Sequence, residues 1–237
     1  MTSTRSSSVL LLENFHIDAL MPPKALAFDL DLTIHNVISH YNYSVNQTIL
    51  HFGHKELTDL ELKQLGGSNF TSTRDLFAEV LPESLLDQAV EYYFDHFLTH
   101  EIPPQAVIPG AKELLYLLKK RFKLPIIAIT NSDEVMARKI LKDLNLTKLF
   151  DYIVGIKEGI AFKPDPQMLL IALEHINILP GKHVWFVGDL PSDVKCAKQA
   201  DCTTIRFYHK IDPQDLEADL SINSHYHLFN IINSKLG

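Results

Sequence analysis

Ala25-Leu26-Ala27-Phe28-Asp29-Leu30-Asp31-Leu32-Thr33 is an apolar run of strand length that ends in two carboxylates one residue apart. Acids at the end of a buried run are costly unless something charged binds them. Successive residues of an extended chain point to opposite sides, so Asp29 and Asp31 share a side and converge just beyond the strand end. Two anions so close repel, and a shared proton or a cation relieves them. Mg²⁺ suits the place, because carboxylate and carbonyl oxygens are its preferred ligands. An Asx-turn and a helix N-cap would also account for the two acids. The partners supplied by the rest of the chain decide between these readings.

Downstream, roughly His35 to Pro104, apolar residues recur at helical spacing: Val37, Tyr41, Val45, Thr48 and Phe52, then Leu57, Leu60, Leu62 and Leu65, later Leu85, Leu86, Val90, Tyr93, Phe94 and Phe97. Gly66-Gly67-Ser68 breaks the pattern, Pro82 opens its last long helix and Pro103-Pro104 closes it. This is the texture of an all-helical insertion, and the Pro-Pro exit favours a separate lobe over helices that merely cover a sheet. From Pro109 on, helix and strand alternate. Helices are expected over Gly110 to Phe122, Asp133 to Leu144, Pro166 to Ile176, Ser192 to Ala200 and Tyr226 to Ser234. Strands are expected at Pro125 to Thr130, Tyr152 to Gly155, His183 to Gly188 and Thr203 to Arg206, with a short one at Ser221-Ile222. Near-continuous apolar strands separated by helices mean a parallel sheet covered on both faces. The expected organisation is an α/β, Rossmann-like core over residues 24–34 and 105–237, a helical cap over 35–104, and a poorly packed N-terminal extension over 1–23. Met21 is a second candidate start.

With 237 residues and 46% hydrophobic content the chain can bury one domain core plus an inserted subdomain. A formal charge of -7 without a basic block argues against nucleic acid or an anionic membrane as partner. No apolar run has the length of a membrane span, and Val9 to Leu12 is too short for the apolar part of a signal peptide. Cys196 and Cys202, six positions apart, form neither a disulfide framework nor a metal motif and read as buried or idle thiols in a reducing, cytoplasmic setting. His225 and His227 lack the acidic or cysteine company that a zinc site needs.

In open parallel sheets, ligands bind at the carboxyl ends of the strands. The strands expected to be central each end in polar residues: Asp29 and Asp31 after the first, Thr130-Asn131-Ser132 after the second, Gly188-Asp189 after the fourth. Lys163-Pro164-Asp165-Pro166 opens a helix, with Asp165 as its N-cap and Pro166 at its first position, so Lys163 lies in a loop at the same rim. Singly these are turn and surface residues. Together they supply a nucleophile, a proton shuttle, a hydroxyl donor, a fixed cation and metal ligands on one edge of one sheet. The set Asp29-x-Asp31-x-Thr33, Thr130-Asn131, Lys163-Pro164 and Gly188-Asp189-x-x-x-Asp193 resembles the four motifs of the haloacid dehalogenase superfamily, and the helical insertion resembles its C1 cap. Proteins of the phosphoglycolate phosphatase type are the nearest match. The resemblance runs from about Ala25 to the C-terminus. It departs from the pattern at Leu32, where many relatives carry Gly.

The resemblance implies a Mg²⁺-dependent phosphatase acting on a small phosphorylated metabolite. Asp29 attacks phosphorus to give an aspartyl-phosphate, and Asp31 protonates the leaving oxygen and then takes a proton from water. Thr33 braces the loop. Thr130 and the Asn131 backbone amide hold phosphoryl oxygens, and Lys163 neutralises charge. Mg²⁺ binds Asp29, the Asp31 carbonyl and Asp189, with Asp193 as a further ligand or holding a bound water. A haloacid dehalogenase lacks the second aspartate, and a phosphonatase replaces it and needs a cap lysine, so Asp31 speaks for phosphoryl transfer. A sugar phosphomutase keeps all four motifs and is the runner-up. A non-catalytic interaction protein is less favoured, since Asp29 and Asp31 are both present. Substrate choice is expected in the cap, at Gly66-Gly67-Ser68-Asn69 and at Arg74, which could meet a substrate carboxylate or second phosphate. A solvated helix residue is the plainer account of Arg74.

Overall fold

The computed structural model describes residues 17–58, 60–62, 73–102, 106–208 and 218–237. Most of the N-terminal extension, Leu65, the Gly66 to Asn69 turn and Pro103-Pro104 lie outside the described residues. The chain forms two compact units, one from residues 1–35 with 107–237, the other Asn36–Ala106.

The first unit is built on six strands: β1 (Ala25–Phe28), β2 (Ile126–Asp133), β3 (Tyr152–Ile156), β4 (Val184–Gly188), β5 (Thr203–Phe207) and β6 (Leu220–Ile222). All neighbours pair parallel, in the order β3-β2-β1-β4-β5-β6. The three strands that carry the polar ends, β2, β1 and β4, are thus adjacent. Strand order reverses beside β1, which is where an open α/β sheet offers a crevice.

The central strands are apolar along their inner stretches because both faces are covered there. Ala27, Ile127, Ile129, Val184 and Phe186 join one buried cluster with Met168, Leu169, Ala172 and Leu173 of a helix over Gln167–His175 and Cys196 and Ala197 of another over Pro191–Gln199. The alternate residues Leu26, Phe28, Ile126, Ala128, Trp185 and Val187 are equally buried. A helix over Ala111–Lys120 packs on β2 and on the last helix, His225–Leu236.

Among the described residues the helices include, in chain order, α1 (Val37–His51), α2 (Thr73–Ala78), α3 (Leu86–Thr99), α4 (Ala111–Lys120), α5 (Glu134–Asp143), α6 (Gln167–His175), α7 (Pro191–Gln199) and α8 (His225–Leu236). The first three belong to the second unit. There α1 and α2 pack on α3, with His40 edge-on to Phe97 at 4.5 Å and Tyr41 to Tyr93 at 6.3 Å. A 3₁₀ turn over Glu83–Leu85 precedes α3, so Pro82 stands before that turn rather than at the start of the long helix. Leu60, expected on the apolar face, is exposed.

The structure refines several sequence expectations in the first unit. The second strand runs on past Thr130 to Asp133, because a register shift between Ile129 and Asp133 lets the chain regain pairing at Ile156. Residues 17–22 are exposed or half-buried, in keeping with a poorly packed extension, but polar bonds moor the segment before β1 to the core. The Trp185 indole N–H donates to the Met21 carbonyl at 3.0 Å, Lys24 N–H to His183 at 2.7 Å, and Lys235 Nζ to the Asp18 carbonyl at 3.0 Å. A buried indole needs an acceptor, and the segment before β1 supplies it. Finally, helix α6 begins one residue later than expected, with Pro166 at the N-cap position. Asp165 still satisfies the first free amide, accepting from Gln167 N–H at 2.8 Å.

Gly188 is required by a close approach. A Cβ there would lie 2.5 Å from Asp193 Cβ, Cγ and Oδ2. Gly188→Ala is therefore expected to lower unfolding free energy by about 1–3 kcal/mol, as overpacking does, measured by urea denaturation.

Leu32 has φ 60, the left-handed region in which glycine is at ease and a bulky side chain is not. The departure at this motif position therefore carries a conformational cost. Leu32→Gly is expected to gain up to about 1 kcal/mol, the relieved strain exceeding the entropy of a freer unfolded chain, again read from denaturant unfolding.

Candidate active site

Each site residue is delivered by a strand end or by the turn that follows one. Asp29 directly follows β1, and its N–H donates to the Val187 carbonyl of β4 at 2.9 Å. Asp189 follows β4 directly, and Asp193 lies in the first turn of α7. Lys163 comes from the loop between β3 and α6, which is fixed to β2 by reciprocal bonds. Asn131 Nδ2 donates to the Lys163 carbonyl at 2.9 Å, and Lys163 N–H donates to Asn131 Oδ1 at 2.9 Å. The Asn131 side chain is thus a clasp for the lysine loop, a task its sequence position did not reveal.

The centre is the Lys163 ammonium, 3% exposed. It lies 2.6 Å from Asp29 Oδ1 and 2.6 Å from Asp193 Oδ1, and donates to the Ile129 carbonyl at 2.9 Å. Burial works against its charge, but Asp29 and Asp193 outweigh that and hold its pKa above the ordinary lysine value. Asp193 Oδ2 accepts Leu190 N–H at 2.9 Å, so the same carboxylate caps α7.

Two carboxylates thus share one ammonium, and a third lies beside them. Oxygens of Asp29, Asp189 and Asp193 all lie within 4.8 Å of one another. Burial lifts Asp29 well above the ordinary carboxylate range, with Lys163 pulling it down and Asp193 and Asp31 pushing it up. Burial, then Asp193, pushes Asp189 up to about 7, against the pull of Lys163. Asp189 Oδ1 is buried without a hydrogen-bond partner among the described residues. An all-oxygen donor set, a surplus of negative charge and an orphaned carboxylate oxygen fit a hard divalent cation such as Mg²⁺.

Asp31 is set apart from this cluster. His35 Nδ1 lies 3.1 Å from its Oδ1 and Ser132 Oγ donates to its Oδ2 at 2.5 Å. Neither contact was anticipated from sequence. Ser132 stands in the polar strand end, but His35 carries no periodicity or spacing signal. Thr130 is 1% exposed, and its Oγ1 accepts Ser132 N–H at 3.0 Å. The Thr33 hydroxyl is buried without a hydrogen-bond partner among the described residues, while its carbonyl accepts the His225 Nε2–H at 2.7 Å. His225 thus serves the loop after β1. Arg74, in the second unit, pairs with Glu83 at 2.5 Å and Asp87 at 3.1 Å on an exposed helix face. Cys196 and Cys202 are buried free thiols, and burial pushes Cys196 up to about 12.

Fold and rim together define a Rossmann-like α/β enzyme core. The profile of the haloacid dehalogenase-like hydrolases matches residues 26–207, and the chain belongs to that family. A phosphoglycolate phosphatase of Chromobacterium violaceum is 29% identical over 218 residues, covering 89% of this chain and 97% of the relative. One of Aquifex aeolicus is 31% identical over 183 residues, covering 76% and 83%. The crystal structure of a HAD-superfamily hydrolase from Ehrlichia chaffeensis superimposes with a TM-score of 0.63 at 25% identity, covering 92% of this chain and 100% of that one. Among the described residues no helix is long and apolar enough to cross a membrane.

The raised Asp189 carboxyl gives a signed pH dependence. The folded protein retains a proton that the unfolded chain releases, so this group's stability is full below about pH 4 and is lost as pH rises to about 7. Thermal unfolding in EDTA across that range should fall more steeply for wild type than for Asp189→Asn.

Proposed function

We infer that this chain is a Mg²⁺-dependent phosphatase that hydrolyses a small phosphomonoester through an aspartyl-phosphate on Asp29. The observation that carries the reading is the Asp29 carboxylate paired at 2.6 Å with a buried lysine at the end of the central strand. The phosphoglycolate phosphatases among its relatives support the same chemistry and make phosphoglycolate the first substrate to try.

Asp29 attacks phosphorus, forming the Asp29–phosphoryl bond as the ester oxygen leaves. Asp31 gives the departing oxygen its proton, then takes one from the water that displaces Asp29, releasing inorganic phosphate. Lys163 offsets charge on the nucleophile and the transferring group, and Thr130 with the Asn131 backbone amide binds phosphoryl oxygens. Asp29, Asp189 and the Asp31 carbonyl would hold Mg²⁺, which would supply electrostatic stabilisation of the transferring phosphoryl group. With Oδ1 on Lys163 and Oδ2 on the start of α7, Asp193 serves as counter-ion and helix cap and steadies the lysine. The helical unit Asn36–Ala106 takes the part of the substrate-selecting cap. The buried reduced thiols and the absence of a basic block fit a cytoplasmic enzyme of small metabolites, with neither nucleic acid nor membrane as partner.

The test is phosphate release from phosphoglycolate, a nucleoside monophosphate, a sugar phosphate and p-nitrophenyl phosphate, with Mg²⁺ and with EDTA. Release is expected only with Mg²⁺, and Asp29→Asn is expected to abolish it in a folded protein. Folded wild type that binds Mg²⁺ yet releases phosphate from none of these would move the reading to a phosphomutase or a non-catalytic protein.

A further inference from the structure

Asp31 has a proton to deliver and to take back, and its side chain is 26% exposed. A carboxyl so placed turns between rotamers unless something fixes it. Two side chains grip it from opposite oxygens: His35 Nδ1 at 3.1 Å from Oδ1 and Ser132 Oγ at 2.5 Å from Oδ2.

The imidazole is built in rigidly. His35 is fully buried, and it closes the turn after β1. Its N–H donates to the Leu30 carbonyl at 2.8 Å and its carbonyl accepts Leu32 N–H at 2.7 Å. Its backbone also bridges to Asp31 and to Val107. Its Nε2 is buried without a hydrogen-bond partner among the described residues, so its polar reach is spent on Asp31 alone. A carboxylate only accepts, so opposite Asp31 it is Nδ1 that carries the hydrogen. A buried ring nitrogen without a partner costs stability, and the fixed carboxyl is what that arrangement secures.

We propose that His35 is a positioning residue whose Nδ1–H, opposed by the Ser132 hydroxyl, holds the Asp31 carboxyl in the orientation from which it transfers protons. The inference rests on the reading of Asp31 as the acid and base of a phosphatase. His35 itself touches neither substrate nor phosphoryl group. Its removal therefore slows proton delivery and leaves phosphate binding intact.

Leaving-group chemistry separates this from a structural effect. An alkoxide is a poor leaving group and needs the proton, whereas p-nitrophenolate departs without it, and kcat/KM reports the first phosphoryl transfer. Wild type, His35→Leu, His35→Asn, His35→Gln and Asp31→Asn are compared with Mg²⁺ on an alkyl phosphate and on p-nitrophenyl phosphate. The Asn amide nitrogen falls near the position of Nδ1, and that of Gln near Nε2.

For His35→Leu and His35→Gln, kcat/KM on the alkyl ester is expected to fall by about 10- to 100-fold, through kcat rather than KM, with a much smaller fall on the aryl ester. His35→Asn is expected to recover most of the loss. Equal losses on both esters, or no loss, in His35→Leu overturn the proposal while the split in Asp31→Asn still upholds the acid–base reading. No split in Asp31→Asn, or an inactive wild type, overturns both. Should the His35 variants not fold, long-range ¹H–¹⁵N correlation spectra of wild type decide. A protonated Nδ1 is expected, and a bare Nδ1 beside an Nε2–H overturns the proposal.

Discussion

The buried Lys163 ammonium is the interaction on which the rim of this sheet depends. A charge at 3% exposure is tolerable only if its donors are met, and here Asp29, Asp193 and the Ile129 carbonyl meet them. Those three come from the end of β1, the start of α7 and the interior of β2. One cation therefore fixes the mutual positions of the central strands' exits. The surrounding devices serve the same end: the Asn131 clasp places the lysine's loop, and Gly188, lacking a Cβ, lets Asp193 approach.

The two acids of the opening motif are one residue apart and live in different electrostatic worlds. Asp29 is buried among a lysine and two further carboxylates, and Asp31 looks toward a histidine and a serine. Such divergence is how neighbouring carboxyls come to do different chemistry. Alternation along the strand gave both acids the same side. What separates them is the turn after Asp31, where Leu32 takes a left-handed conformation and swings the chain back so that His35 closes on the carboxyl it follows by four residues.

Much of this was legible in the sequence, because apolar runs and helical spacing are local signals. The parallel α/β core, its strands within a few residues and the gathering of Asp29, Thr130, Lys163 and Asp189 on one rim follow from periodicity and from polar residues at strand ends. What escaped depends on tertiary contact. The extra length of β2 comes from a register shift that only the pairing with β3 defines, and the anchoring of residues 17–23 comes from the need of the Trp185 indole for an acceptor. Asn131's bonds to Lys163 and the grip of His35 and Ser132 on Asp31 are side-chain pairings with no period to betray them. Arg74 follows its plainer account, a solvated helix residue, and is paired with two acids of its own unit.

The rim also has a kinetic character. Asp29 and Lys163 are 134 residues apart in the chain, and Asp31 and Ser132 are 101 apart. The whole helical unit intervenes between β1 and its neighbour β2. Closing such loops costs entropy before any contact repays it. The bonds joining Asp29 to Lys163 and Asp31 to Ser132 wait for segments from both halves of the chain, whereas His35–Asp31 and Lys163–Asp193 link nearer neighbours in sequence. A nascent chain lacks the complete site until its last third has been made, because Lys163, Asp189 and Asp193 all lie there. For this topology the charged rim is completed only by the last segments of the chain to be made.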